Sequence, residues 1–177
     1  HKFDKLRKKL GLFLEVSQVT VVYPIPYTKH LVWIDEETGE TAKKRKSPKT
    51  GTPCSIFDEL YKIKYLLKNP KLRFCIVMVD ITEYRLLNGW SKDKKKGSTR
   101  KDRIPTDIID EIYINTPRDF LKIIPSSLPQ VFTSKDFKNA SELSLGASQT
   151  ALNVLFSIDI IKRTGKKGNM FLYELNL

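Results

Sequence analysis

Apolar spacing is most regular between Phe132 and Leu175, where the signals follow a fixed order. Thr133, with Asp136 three residues on, caps a short helix anchored by Phe137. Ser144 caps a second helix. From Leu145 onward, Ala147, Ala151, Leu152, Leu155 and Ile158 recur at three- and four-residue spacing and predict one buried face. The opposite stripe is polar: Gly146, Gln149, Thr150 and Asn153. Ile160-Ile161-Lys162-Arg163, a tip from Thr164 to Asn169, and Met170-Phe171-Leu172-Tyr173 then predict a two-stranded wing about a glycine turn. The whole order reads as a winged helix.

Upstream, Phe3, Leu6, Leu10, Phe13 and Leu14 alternate with lysines and predict an amphipathic helix with a basic outer face. Val19 to Tyr23 is a β-branched and aromatic run that predicts a strand covered on both sides and ended by Pro24 and Pro26. Lys29 to Asp35 leads through an acidic turn at Gly39 to Thr41–Lys46, a predicted hairpin. Thr52 and Pro53 open a helix with Ile56, Phe57, Leu60 and Ile63 inside, and Leu66 and Leu67 extend its apolar side. Arg73 to Val79 predicts a buried strand, continued in alternation to Leu87, with Trp90 closing the block. Ser91 to Arg103 is charged and nearly free of apolar residues, which predicts a loop or linker. Ile108, Ile109, Ile112 and Tyr113 have helical spacing and predict a helix from about Thr106. Thr116 and Pro117 begin a further turn through Phe120, Leu121 and Ile124. The predicted fold class is therefore α/β (α+β). It divides into a basic α/β domain over 1–95, a basic linker over 96–104 and a winged-helix domain over 105–177.

Charge sharpens this picture. Of 32 Lys and Arg and 20 Asp and Glu, residues 1–103 hold 24 and 12, and residues 104–177 hold 8 and 8. The whole surplus of +12 sits in the first part, which favours a polyanionic partner through counterion release. Two cysteines, Cys54 and Cys75, are too few for a disulfide framework or a zinc site and read as reduced, buried thiols. No apolar run is long enough to span a bilayer and no leader pattern opens the chain, so a soluble, cytoplasmic protein without a membrane partner is expected.

Several chemistries lack their residues. No glycine-rich phosphate loop with a following Lys-Ser/Thr occurs, and His1 and His30 stand in no nucleophile motif. Asp110-Glu111 falls on a predicted helix surface. Asp35, Glu37 and Glu40 followed by Lys43 invite comparison with a metal-nuclease centre, but the string is turn chemistry in its own right. Trp33, Tyr84 and Trp90 read as core residues before stacking platforms. No residue is assigned a catalytic or metal-binding role, and no cofactor is expected.

The block from Val21 to Ile63 resembles a family of bacterial hypothetical proteins, with VYPI and RKSPK as its most specific strings. The EYR run at Glu83–Arg85, the GWS segment from Gly89, the pair Asp102-Arg103 and the FTSKDF-to-wing module are similar to the same family. Longer members of that family look like restriction endonucleases of the PD-(D/E)XK type. The resemblance implies that the Phe3–Leu14 helix and the VTVVY strand form the back half of a nuclease-like core. It also implies that the catalytic motif lies upstream of this chain, and no residue here matches it.

The expected function is nucleic-acid binding, with double-stranded DNA as partner, without catalysis by this chain. Base contact falls to Gln149, Thr150 and Asn153 on the second helix, and phosphate contact to Lys162, Arg163, Lys166 and Lys167 in the wing. Lys43, Lys44, Arg45, Lys46 and Lys49 form a second phosphate-contacting ridge. No Lys or Arg lies between Leu145 and Ile161, whereas groove-reading helices use basic side chains, so a protein-docking adaptor is one alternative. A nuclease that takes Mg2+ is the other.

Overall fold

The computed structural model describes residues 2–87 and 99–177 and shows a mixed α+β chain in two compact units. Unit 1 comprises residues 1–23, 52–76 and 112–177; unit 2 comprises 24–51 and 77–111. The expected division at a linker near residue 100 is therefore corrected. Three long strands run from one unit into the other, so the boundaries cross strands rather than a tether. Residues 91–98 of the expected linker, and Trp90, lie outside the described residues.

In unit 1, α1 (Lys2–Val16) buries Phe3, Leu10 and Leu14, while Phe13, expected on the same face, is 53% exposed. Phe3 stacks on Phe74 and meets Tyr23 edge-on, with ring centres 6.2 and 5.3 Å apart. Its amide donates to Glu59 Oε2 at 2.9 Å. The helix expected from Thr52 is a 3-10 turn at Pro53–Ile56, then α2 (Phe57–Leu60), then a 3-10 stretch at Tyr61–Leu66 kinked at Ile63. All four expected inner residues, Ile56, Phe57, Leu60 and Ile63, are buried.

The four-stranded sheet has the order β2-β1-β3-β4, with β1 at Val19–Asp35, β2 at Arg45–Lys46, β3 at Leu72–Leu87 and β4 at Thr99–Ile114. β2 runs antiparallel to β1, with His30 opposite Lys46 and Leu31 opposite Arg45. The Val19 amide donates to the Lys71 carbonyl and the Thr28 amide to Asp80 Oδ1, each at 2.8 Å and each 52 residues apart, so β1 and β3 run the same way. The hairpin about Gly39 (φ +73) forms as expected.

Three strand expectations are corrected. Pro24 and Pro26 do not end β1: a proline φ fits extended backbone, and β2 meets β1 only at His30 and Leu31, beyond both prolines. Val19–Tyr23 is not covered on both sides, because Val21 is buried and Val22 is 61% exposed. The segment expected as a helix from Thr106, with residues 99–103 of the expected linker, is strand β4. Its β-branched isoleucines favour extended backbone once β3 offers a partner. Asp110 and Glu111 consequently lie on a strand.

Residues 99–111 of this edge strand are exposed throughout. The Arg103 amide donates to Asp102 Oδ1 at 2.6 Å and the Glu111 amide to Asp110 Oδ1 at 2.8 Å, while position 105 is a proline. Alternation puts 103, 105 and 111 on one side of the strand.

The C-terminal part of unit 1 has the expected order: α3 (Ser134–Ser141), α4 (Leu145–Ser157), β5 (Ile161–Lys167) and β6 (Met170–Leu175). The Thr133–Asp136 capping box opens α3, Glu142 ends it at φ +59, and the Ser144 side chain accepts from the Ala147 amide at 3.2 Å. Phe132 exchanges backbone hydrogen bonds with Tyr173 at 2.9 and 2.8 Å, adding a bridge to the hairpin. Phe132, Phe137, Leu152, Val154 and Leu155 fill the core beneath. Cys54 and Cys75 are free and buried, and burial pushes the Cys54 thiol up to about 11. No helix among the described residues is long and apolar enough to cross a membrane.

Candidate nucleic-acid interface

Ser144 sets the start of α4 and so the direction of its polar stripe. Gln149 is exposed, and Thr150 and Asn153 are partly so. These three do not stand alike. The Thr150 hydroxyl donates to its own helix at the Gly146 carbonyl, 3.1 Å away. Asn153 Oδ1 instead accepts a hydrogen bond of 2.9 Å from Lys64 Nζ, supplied by the 3-10 stretch that packs beside α4. A groove of about 300 Å3 opens between α4 and the hairpin, lined by Ser134, Gln149, Asn153, Arg163 and Phe171 among others. It brings together two of the three stripe residues and one of the four wing cations.

Arg163 owes its place to aromatic rings. Its guanidinium lies 4.0 Å from the ring centre of Phe171 and 4.4 Å from that of Phe156, with Tyr173 at 6.0 Å. The side chain is exposed yet held, which is how a planar cation stays available to a ligand. Lys162 Nζ is 3.5 Å from Glu174 Oε2, and Lys166 Nζ is 5.0 Å from the Phe171 ring centre. Thr164 forms a bulge between Arg163 and Gly165, and pairing continues to Lys167 opposite Met170. The expected six-residue tip is thus only Gly168-Asn169, with Gly168 at φ +61, where a two-residue hairpin loop takes glycine. Hydrogen bonds from the Thr133 side chain and amide, with Lys167 nearby, hold the Asp136 carboxyl below its ordinary range.

The second predicted ridge belongs to unit 2. Lys43, Lys44, Arg45, Lys46 and Lys49 are all exposed. Arg45 and Lys46 are adjacent strand positions and project to opposite faces, so they do not form one ridge with a single aspect. Asp35 serves the hairpin turn, its Oδ1 accepting from the Glu37 and Thr38 amides at 2.9 Å each, and those bonds hold its carboxyl low. Among the described residues no group of His, Cys, Asp and Glu is placed to hold a metal ion.

Sequence reading passed over Lys64, a half-buried residue of the kinked 3-10 stretch that no local pattern in the sequence marks. It also passed over Glu83, Arg85 and Arg103 as a group. The EYR run and the Asp102-Arg103 pair entered the reading only as resemblance strings, yet Arg103 Nε and Glu83 Oε2 are 2.7 Å apart.

An uncharacterized protein of Treponema pallidum (strain Nichols) is 23% identical over 176 residues, covering 96% of this chain and 66% of that protein. The chain thus spans just under two thirds of that relative's length. No solved structure matches it. Residues 1–115, which carry α1 and the whole four-stranded sheet, match a domain of unknown function (DUF8091), and the chain belongs to that family.

Proposed function

We propose that this chain binds double-stranded DNA, with α3, α4 and the β5–β6 hairpin acting as a winged helix. The observation that carries the reading is the groove in which Gln149 and Asn153 of α4 face Arg163 of the hairpin. Lys64 supplies beside it the positive charge that α4 lacks. In this arrangement α4 enters the major groove and the hairpin follows the flanking backbone. Lys162, Lys166 and Lys167 contact phosphates and release counterions. Because Asn153 Oδ1 is already engaged by Lys64 from beside the groove, Asn153 turns its amide NH2 to a ligand, and Arg163 adds its guanidinium donors. Donors match the N7 and O6 acceptors of guanine, and each good pair discriminates by about 1–3 kcal/mol.

The test is a titration of labelled duplex DNA at several salt concentrations, with the wild type beside Arg163→Gln and a Lys166→Gln/Lys167→Gln double variant. The expected result is binding that weakens with salt and a shallower salt dependence in the lysine variant. Absence of a complex at low salt overturns the reading.

A further inference from the structure

Glu83 stands in β3 with no exposed side-chain surface, and four cations meet its carboxylate. Arg85 reaches Oε1 through Nε and Nη2, both at 2.6 Å. Arg103 donates from Nε to Oε2 at 2.7 Å, Arg100 Nε is 3.5 Å away and Lys29 Nζ 3.9 Å away. All five residues belong to unit 2. Four positive charges against one negative leave a surplus of three. Asp102, beside Arg103 in sequence, directs its carboxylate to the Arg103 amide.

A single guanidinium fork satisfies a carboxylate in both geometry and charge. Three forks and an ammonium exceed that need, and their mutual repulsion is relieved when a second anion joins them. Lys29 registers this crowding. Burial pushes its amine below the ordinary range, Glu83 pulls it back, and Arg103, Arg85 and Arg100 press it down further.

The free donors are also in place. Arg100 and Arg103 turn their Nε edges to Glu83, and their Nη groups have no partner among the described residues. Their side chains are 50% and 42% exposed, whereas Arg85, 19% exposed, is fixed with its guanidinium 5.9 Å from the Trp33 ring centre. A buried acid thus orients a set of cations whose outer edges meet water.

We infer that this sheet face is a phosphate-binding site, in which the Nη groups of Arg100 and Arg103 hold the phosphate oxygens and Lys29 adds charge. Glu83 is the positioning residue that sets the guanidinium edges. A phosphate matches better than a carboxylate because it presents more oxygens and carries up to two negative charges to a surplus of three. The phosphate comes either from a nucleic-acid strand or from a small phosphate compound, and the site owes nothing to the reading of the C-terminal helices.

The experiment titrates the full chain with inorganic pyrophosphate in one arm and a single-stranded oligonucleotide in the other, by calorimetry at low salt. It compares wild type, Arg100→Gln/Arg103→Gln and Lys5→Gln/Lys9→Gln, the last pair being exposed on α1 and removing the same charge. Circular dichroism confirms that each variant is folded. Loss of about tenfold in affinity in the arginine variant alone is expected, as charge-assisted hydrogen bonds are removed. Such a loss in the pyrophosphate arm assigns a small phosphate compound, and in the oligonucleotide arm only, a strand. Binding in neither arm, or equal loss in both variants, overturns the proposal.

Discussion

Lys64 Nζ donates to Asn153 Oδ1 across 2.9 Å, joining residues 89 apart in the chain. The amine belongs to a kinked 3-10 stretch, and it places a cation on the polar side of a helix that has none of its own. Lys64→Met keeps the apolar stem and removes the charge. It is expected to weaken duplex binding and to reduce the salt slope by about one. An unchanged slope would remove Lys64 from the interface.

Arg163 tests shape against charge. Arg163→Lys retains the positive charge but not the planar group that lies over Phe156 and Phe171. Duplex affinity is expected to fall in this variant nearly as far as in Arg163→Gln. Thermal stability should drop by about 0.5–1 kcal/mol, the usual worth of an exposed cation–π contact. Undiminished duplex affinity in the lysine variant would show that only charge matters.

Glu83 makes a stability prediction separate from any ligand. Burial raises its carboxyl pKa, but hydrogen bonds from Arg103 and Arg85 and the nearby Lys29 outweigh burial and hold it below the ordinary value. A depressed acid stabilises the fold above its unfolded pKa, about 4.3, and that contribution disappears as pH falls through the folded value. Melting curves between neutral pH and pH 3 should therefore show an acid-sensitive loss that Glu83→Gln lacks. Glu83→Ala, which leaves the cations without their acid, should cost about 3–5 kcal/mol at neutral pH.

Asp119 behaves alike at the surface. Lys122 first, then Thr116 and the Asn115 amide, hold its carboxyl at about 2, and it closes a capping box with Thr116. Asp119→Asn is expected to cost about 1 kcal/mol near neutral pH. The cost should vanish as wild type is acidified from about 4 toward 2, where its own carboxyl protonates. A cost that persists at the acid end would mean that packing, not charge, is at stake.

Gly51 is a backbone requirement. Its amide donates to the Tyr27 carbonyl at 2.9 Å, and a Cβ there would overlap the carbonyl oxygen of Pro26. Gly51→Ala should destabilise unit 2 by about 1–3 kcal/mol, as overpacking does. Hydrogen exchange at residues 24–51 reads the effect directly, and unaltered protection there would contradict the geometry.

Legibility from the sequence divides along the range of the interactions. The C-terminal helices and hairpin were readable because Thr133, Asp136, Ser144 and Gly168 act within a few residues of themselves. The inner face of Ile56, Phe57, Leu60 and Ile63 was readable for the same reason. β4 was not, because Ile108, Ile109, Ile112 and Tyr113 fit a helical period as well as a strand, and only the presence of β3 decides. Pro24 and Pro26 misled because a proline breaks a strand only where its missing donor is needed. Of the residues at the candidate groove, Gln149, Asn153 and Arg163 stood out in the sequence but Lys64 beside it did not, and the Glu83 cluster gathers residues from three strands that no local pattern connects.

One consequence concerns the outer rim of the sheet. Along β4, Pro105 brings no hydrogen to share, and Asp102 and Asp110 occupy the amides that follow them. A molecule attempting to extend the sheet there finds those positions taken, which is how natural proteins keep a bare rim from seeding fibrils. Ile104, Ile108 and Ile109 can therefore stand in water beside it without turning the protein into a template for its own polymer.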